Sequence, residues 1–215
     1  MKHALALAVT LGTAAPLGAH PHIFIDTGLR LSFDAAGVLQ TVEVTWIYDP
    51  LYSLLVTEDM RLDPDFDGVL TQAEIDQLTG FDMQWVEGFN GDLEIRQEGA
   101  LLPLSGPMEY TASFAEGQIT TTHVRQVEGM TAGKPLALKP YDLTYYTAYD
   151  VTLPTEIIGS DACRTRVEMP DLTSGLEQVR AQLEALDPDI DPADVGFPDI
   201  GAKLATTVIV TCAAS

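Results

Sequence analysis

Hydrophobic positions recur along this chain with two periods, and the switches between them mark its elements. Residues 22–33 and 38–48 alternate apolar and polar, the period of a strand with one buried face. The Asp34-Ala35-Ala36-Gly37 run between them has turn composition, so the two predict a hairpin. Asp49-Pro50 then opens a helical stretch over 51–60, with proline where a helix tolerates it best. A second helix is expected from Thr71 to about Phe89, broken at Gly80. From 91 to 154 the pattern is strand-like again, over 93–96, 108–114, 118–127, 136–138 and 145–153, with Gly, Pro and Asp between. A third helix over 172–186 sets Leu172, Leu176, Val179, Leu183 and Leu186 on one face, the spacing of a helix that packs on a core. It runs into an acidic loop at 187–192, and the β-branched run 204–211 closes the chain as a strand. The expectation is an α+β fold: an antiparallel, strand-rich, sandwich-like body, an inserted helix–loop–helix over 50–90, and a C-terminal amphipathic helix.

The first 19 residues read differently. Lys2, a short apolar run over 4–12 and Pro16 make a secretory signal that is too short to span a bilayer. A cut after Ala19 leaves His20 as the first residue of a single periplasmic domain, 20–215. No later segment is long enough to cross a membrane, so the protein is not expected to be membrane-embedded. Asp and Glu number 32 against 11 Lys and Arg, a net charge of −21. Such a surface repels nucleic acid and attracts cations. Cys163 and Cys212 are the two cysteines, and in an oxidising compartment an even pair predicts one disulfide holding the C-terminal strand. Without CxxC spacing, a thiolate metal site is the weaker reading.

The most specific motif lies over residues 63–74. Calcium takes six to eight oxygens, and a twelve-residue EF-hand-like loop supplies them from positions 1, 3, 5, 7, 9 and 12. These are Asp63, Asp65, Asp67, the Val69 carbonyl, Thr71 and Glu74. Gly68 holds the sharp-turn position, Leu70 faces inward, and Thr71 with Glu74 also makes a capping box for the exiting helix. Pro64 and Phe66 depart from the common pattern without removing a ligand. The acidic run 187–198 fails the same count, because Pro192 and Pro198 stand where Gly and Glu are needed.

Only His20, His22 and His123 remain after export. Residues two apart on a strand share a face, so His20 and His22 can converge on one ion, with His123 as third nitrogen and Asp26 as an oxygen ligand. Imidazoles accept zinc, nickel, cobalt or copper. Pro21 has no N–H, which excludes a square-planar site built through deprotonated amides. The aromatic residues Trp46, Tyr52, Tyr145, Tyr146 and Tyr149 read as core at strand spacing. No phosphate loop, nucleophile elbow or other catalytic motif is present.

The start His20-Pro21-His22-Ile23-Phe24-Ile25-Asp26, the Trp46-Ile47-Tyr48-Asp49-Pro50 segment and Asp142-Leu143-Thr144-Tyr145-Tyr146 resemble those of a family of bacterial periplasmic proteins described as components of ABC-type or nickel/cobalt-type transport systems. The resemblance implies an accessory protein that handles a divalent transition metal beside an inner-membrane metal transporter. Two other readings stand beside it: a metal-dependent periplasmic enzyme at the N-terminal histidines, and a calcium-stabilised adaptor that binds no transition metal.

Overall fold

The computed structural model describes residues 21–184 and 200–213. The expected hairpin is its centre. β1 (Ile23–Phe33) and β2 (Leu39–Tyr48) pair antiparallel, with Leu29 opposite Val44. Between them Asp34 Oδ1 accepts the N–H groups of Ala36 and Val38, each at 2.9 Å, which fixes the turn.

After the hairpin come α1 (Pro50–Asp59) and α2 (Gln72–Leu78), then β3 (Leu93–Gln97), β4 (Ala100–Leu101), β5 (Met108–Ala115), β6 (Gln118–Gln126) and β7 (Leu136–Pro140). The remainder is β8 (Thr147–Asp150), β9 (Thr155–Ile158), β10 (Cys163–Glu168), α3 (Leu172–Glu184), α4 (Ile200–Leu204) and β11 (Thr207–Cys212). One sheet runs β5-β6-β2-β1-β8 with β9 also on β1, and the other runs β10-β11-β7-β3-β4. The first sheet is not wholly antiparallel as expected. β8 and β9 both lie parallel to β1, one beside Ile23–Asp26 and the next beside Leu29–Ser32. Leu153, in the kink between them, packs against Gly28, where an added Cβ would sit 3.1 Å from the leucine side chain.

Alternation decides the core. Ile25, Leu29, Leu31 and Phe33 of β1 and Val42, Val44, Trp46 and Tyr48 of β2 join Leu93, Ile95, Leu136, Leu138, Val208 and Val210 of the second sheet in one buried cluster. Each such side chain contributes roughly 1.5–3 kcal/mol by leaving water. The mixed sheets and few helices are those of an α+β chain.

Two features mark the helical region. First, Asp49 caps α1 by accepting the Tyr52 N–H at 2.9 Å, and the helix's most buried side chains are the polar Ser53 and Thr57, beside the partly buried Tyr52, Val56 and Met60. Buried Ser53 donates to the Tyr48 carbonyl and accepts the Ile119 N–H at 3.0 Å, while Leu51, Leu54 and Leu55 stand exposed. Second, α2 stops at Leu78. Thr79 turns extended and Gly80 takes φ +82° with the Tyr110 ring against it, so 79–92 is a strap of turns rather than more helix.

α3 covers Leu172–Glu184, and Leu186 lies outside the described residues. Leu172 and Leu176 are more than half exposed, so they do not cover the core as expected. α3 meets α4 through Gly175 instead, where a Cβ would stand 3.0 Å from Leu204. Cys163 and Cys212 are directly opposite across β10 and β11 and form a disulfide, a staple between neighbouring strands. No helix among the described residues is long and apolar enough to cross a membrane.

Candidate functional site

The loop between α1 and α2 brings its first three acidic residues together. Oxygens of Asp63, Asp65 and Asp67 lie within 4.8 Å of one another. Backbone geometry holds them: Asp63 accepts the N–H groups of Asp67 at 3.0 Å and Gly68 at 3.1 Å, and Asp67 accepts that of Val69 at 2.8 Å. Gly68 has φ +77°, and Phe66 and Asp63 share the left-handed region, so the chain coils tightly around the carboxylates. Leu70 packs toward the core. Glu74 is engaged otherwise. Its Oε2 accepts the N–H and the hydroxyl of Thr71, both at 2.7 Å, and its Oε1 accepts the Asp63 N–H at 3.0 Å. The bonds from Thr71 hold its pKa below the usual range. Glu74 therefore clasps the two ends of the loop, and ligation would need it to leave that clasp. Three convergent carboxylates suit a hard, oxygen-seeking cation.

The histidines are not brought together. His20 lies outside the described residues. His22 is exposed at the start of β1, its ring 4.9 Å from that of Tyr146 and its N–H on the Tyr146 carbonyl. His123 pairs with Val44, which is opposite Leu29. His22 lies seven positions before Leu29, roughly 20 Å along the strand direction, and His123 is two strands over. His123 is also 0 % exposed, on the inner face of the sheet. Asp26 is on the other face, where it accepts the Thr152 hydroxyl. His22 and His123, the two described members of the expected three-nitrogen set, therefore lie apart.

His123 belongs instead to a buried polar cluster, of which the sequence pattern marks only Trp46 and Tyr149 as core. The inward positions of β6 are Ile119, Thr121, His123 and Arg125. Over them lies the strap 79–92. The Tyr48 and Thr121 hydroxyls donate to Asp82 Oδ2, both at 2.7 Å. Tyr149 donates to Asp92 at 2.7 Å, and Arg125 donates to the carbonyls of Asn90 and Ser105 with its guanidinium 4.9 Å from the Trp85 ring centre. His123 is wedged against Trp46 and Trp85 at 4.7 and 5.4 Å between ring centres. Both its nitrogens, Trp46 Nε1 and Asp82 Oδ1 are buried without a hydrogen-bond partner among the described residues. Burial, then the charge of Arg125, depresses the His123 pKa to about 3, so the ring is neutral. Burial lifts Asp92 to about 6 and raises Asp82. At the edge of this cluster a cavity of about 160 Å³ opens between the sheet and the strap, lined by Trp46, Tyr48, Tyr52, Asp82, Trp85 and Tyr149, among others. The available sequence signal was β6 itself, where Thr, His and Arg alternate with equally ambiguous residues.

Fold and site together define an α+β protein of two sheets with an acidic loop in a helical insert and a polar, aromatic-walled cluster beneath a strap. A family model described as a protein of unknown function, DUF1007, matches residues 5–212, and the chain belongs to that family. No curated protein matches the chain.

Proposed function

We propose that this protein is an exported metal-binding accessory component of a divalent transition-metal transport system, stabilised by calcium in the loop 63–74. The observation that carries the metal-binding reading is the convergence of Asp63, Asp65 and Asp67 at the first, third and fifth positions of that loop. The Cys163–Cys212 disulfide is compatible with an oxidising compartment outside the cytoplasm. Transition-metal capture falls to the N-terminal pair His20 and His22, the latter exposed. The apolar stripe of Leu51, Leu54 and Leu55 on α1, at helical spacing and turned to solvent, is the face offered to the transporter.

Native mass spectrometry of the exported protein tests this directly. One calcium, lost in Asp65→Asn/Asp67→Asn, and one zinc, nickel, cobalt or copper, lost in His20→Ala/His22→Ala, are expected. Neither metal bound would overturn the reading. The separation of His22 from His123 favours one second reading, a calcium-stabilised adaptor, for which calcium alone would bind.

A further inference from the structure

We propose that the cavity between the first sheet and the strap 79–92 binds a small organic cation of the alkylammonium type. Six aromatic side chains line the cavity from three directions: Trp46, Tyr48 and Tyr149 from the strands, Tyr52 from α1, Trp85 and Phe89 from the strap. Aromatic faces carry negative potential and attract cations, most strongly when water is excluded. This molecule already uses that attraction, because the Arg125 guanidinium sits 4.9 Å from the Trp85 ring centre.

Among the residues that line the cavity the charged one is Asp82, with Arg125 behind the Trp85 ring. Asp92 is bonded to the hydroxyl of the wall residue Tyr149. Neither carboxylate belongs to an ion pair among the described residues, whose ion pairs are all at surface arginines and a lysine. Both receive hydrogen bonds from neutral hydroxyls instead. Partly buried carboxylates outside any ion pair are costly, and a bound cation offsets that cost on the side of the cavity away from Arg125.

The walls also select the kind of cation. A metal ion needs oxygen ligands on most sides. Here it would meet mostly aromatic and aliphatic side chains, and among the described residues the one group of three metal-holding side chains is at Asp63, Asp65 and Asp67. An alkylated nitrogen needs no ligands, only π faces and a negative field. The volume, about 160 Å³, equals that of roughly five waters, enough for an ammonium headgroup and a short tail.

The test is direct because the chain's two tryptophans, Trp46 and Trp85, both line this cavity. Intrinsic fluorescence of the full exported protein is titrated with choline chloride, with 3,3-dimethylbutanol as its uncharged isostere, and with sodium chloride. Saturable quenching by choline alone is expected, weakened at least tenfold in Asp82→Asn and several-fold in Tyr52→Leu at the partly exposed rim. Equal response to the neutral isostere, the same response to sodium chloride, or no saturable response to choline would each overturn the proposal. If Asp82→Asn fails to fold, Tyr52→Leu decides, and an unchanged choline affinity there counts against the site. Calcium binding at 63–74 does not enter this result, so the two readings stand or fall separately.

Discussion

Replacing His123 by leucine removes a fully buried ring whose two nitrogens lack hydrogen-bond partners among the described residues. At neutral pH two effects oppose. Each unpaired buried polar atom costs roughly 1–3 kcal/mol, and its removal relieves that cost. Losing the edge contacts with Trp46 and Trp85 costs roughly 0.5–1.5 kcal/mol each. The variant is therefore expected to fold with stability within about 2 kcal/mol of the wild type near pH 7. Acid separates the two proteins. The folded-state pKa of His123, about 3, lies below the unfolded value of 6.5, so the unfolded chain takes up the proton first as pH falls. The stability this ring allows is fully present above about pH 6.5 and is lost progressively down to about pH 3. Between pH 7 and 4.5 that loss is about 2.5 kcal/mol, at roughly 1.36 kcal/mol per pH unit below the unfolded pKa. Asp92, raised to about 6, works in the opposite sense, but it is present in both proteins and cancels in their difference. Urea unfolding of wild type and His123→Leu at the two pH values measures the quantity. A stability difference that stays constant with pH, or a His123 resonance titrating near pH 6.5 in the folded protein, would refute a neutral, sealed imidazole.

Other outcomes follow from the same geometry. Cys163→Ala/Cys212→Ala opens a loop spanning a sequence separation of 49 and should lose about 4 kcal/mol, seen as a melting temperature lower by roughly 10 °C. Calcium at about ten times a dissociation constant near 10⁻³–10⁻⁴ M should stabilise the protein by about 1.4 kcal/mol, a rise of roughly 3–5 °C that Asp65→Asn/Asp67→Asn abolishes. Gly91→Ala combines φ +69° with a Cβ 2.3 Å from the Trp85 ring, so the strap must shift; a loss of roughly 2 kcal/mol and a changed tryptophan emission spectrum are expected. Ser53→Ala leaves the Ile119 N–H without its acceptor inside the fold and should cost roughly 1–3 kcal/mol by urea unfolding.

The acidic loop 63–74 and the buried cluster are continuous in the chain. α2 follows the loop directly, and the strap that carries Asp82, Trp85 and Asp92 follows α2. Glu74 clasps the loop at one end of α2, while Leu78, fully buried, anchors the other.

Much of the frame was written in local pattern. Alternation over β1 and β2, the Asp34–Gly37 turn, the Asp49-Pro50 helix start and the Asp63–Gly68 coil each depend on neighbours within a few residues, and such signals survive without tertiary information. The disulfide was legible because two cysteines allow one pairing. Long-range choices were not legible. The parallel docking of β8 and β9 on β1, and the inward turn of Thr121, His123 and Arg125, depend on which sheet face another layer covers. The break at Gly80 was legible, but that no helix resumes over 81–89 was not: Gly80 meets Tyr110 from β5, a contact between residues 30 apart in sequence, and the strap beyond it packs on the sheet. The fate of the histidines was decided the same way. Three imidazoles in a sequence carry no distance between them, and strand register alone set His22 in solvent and His123 beneath Trp85.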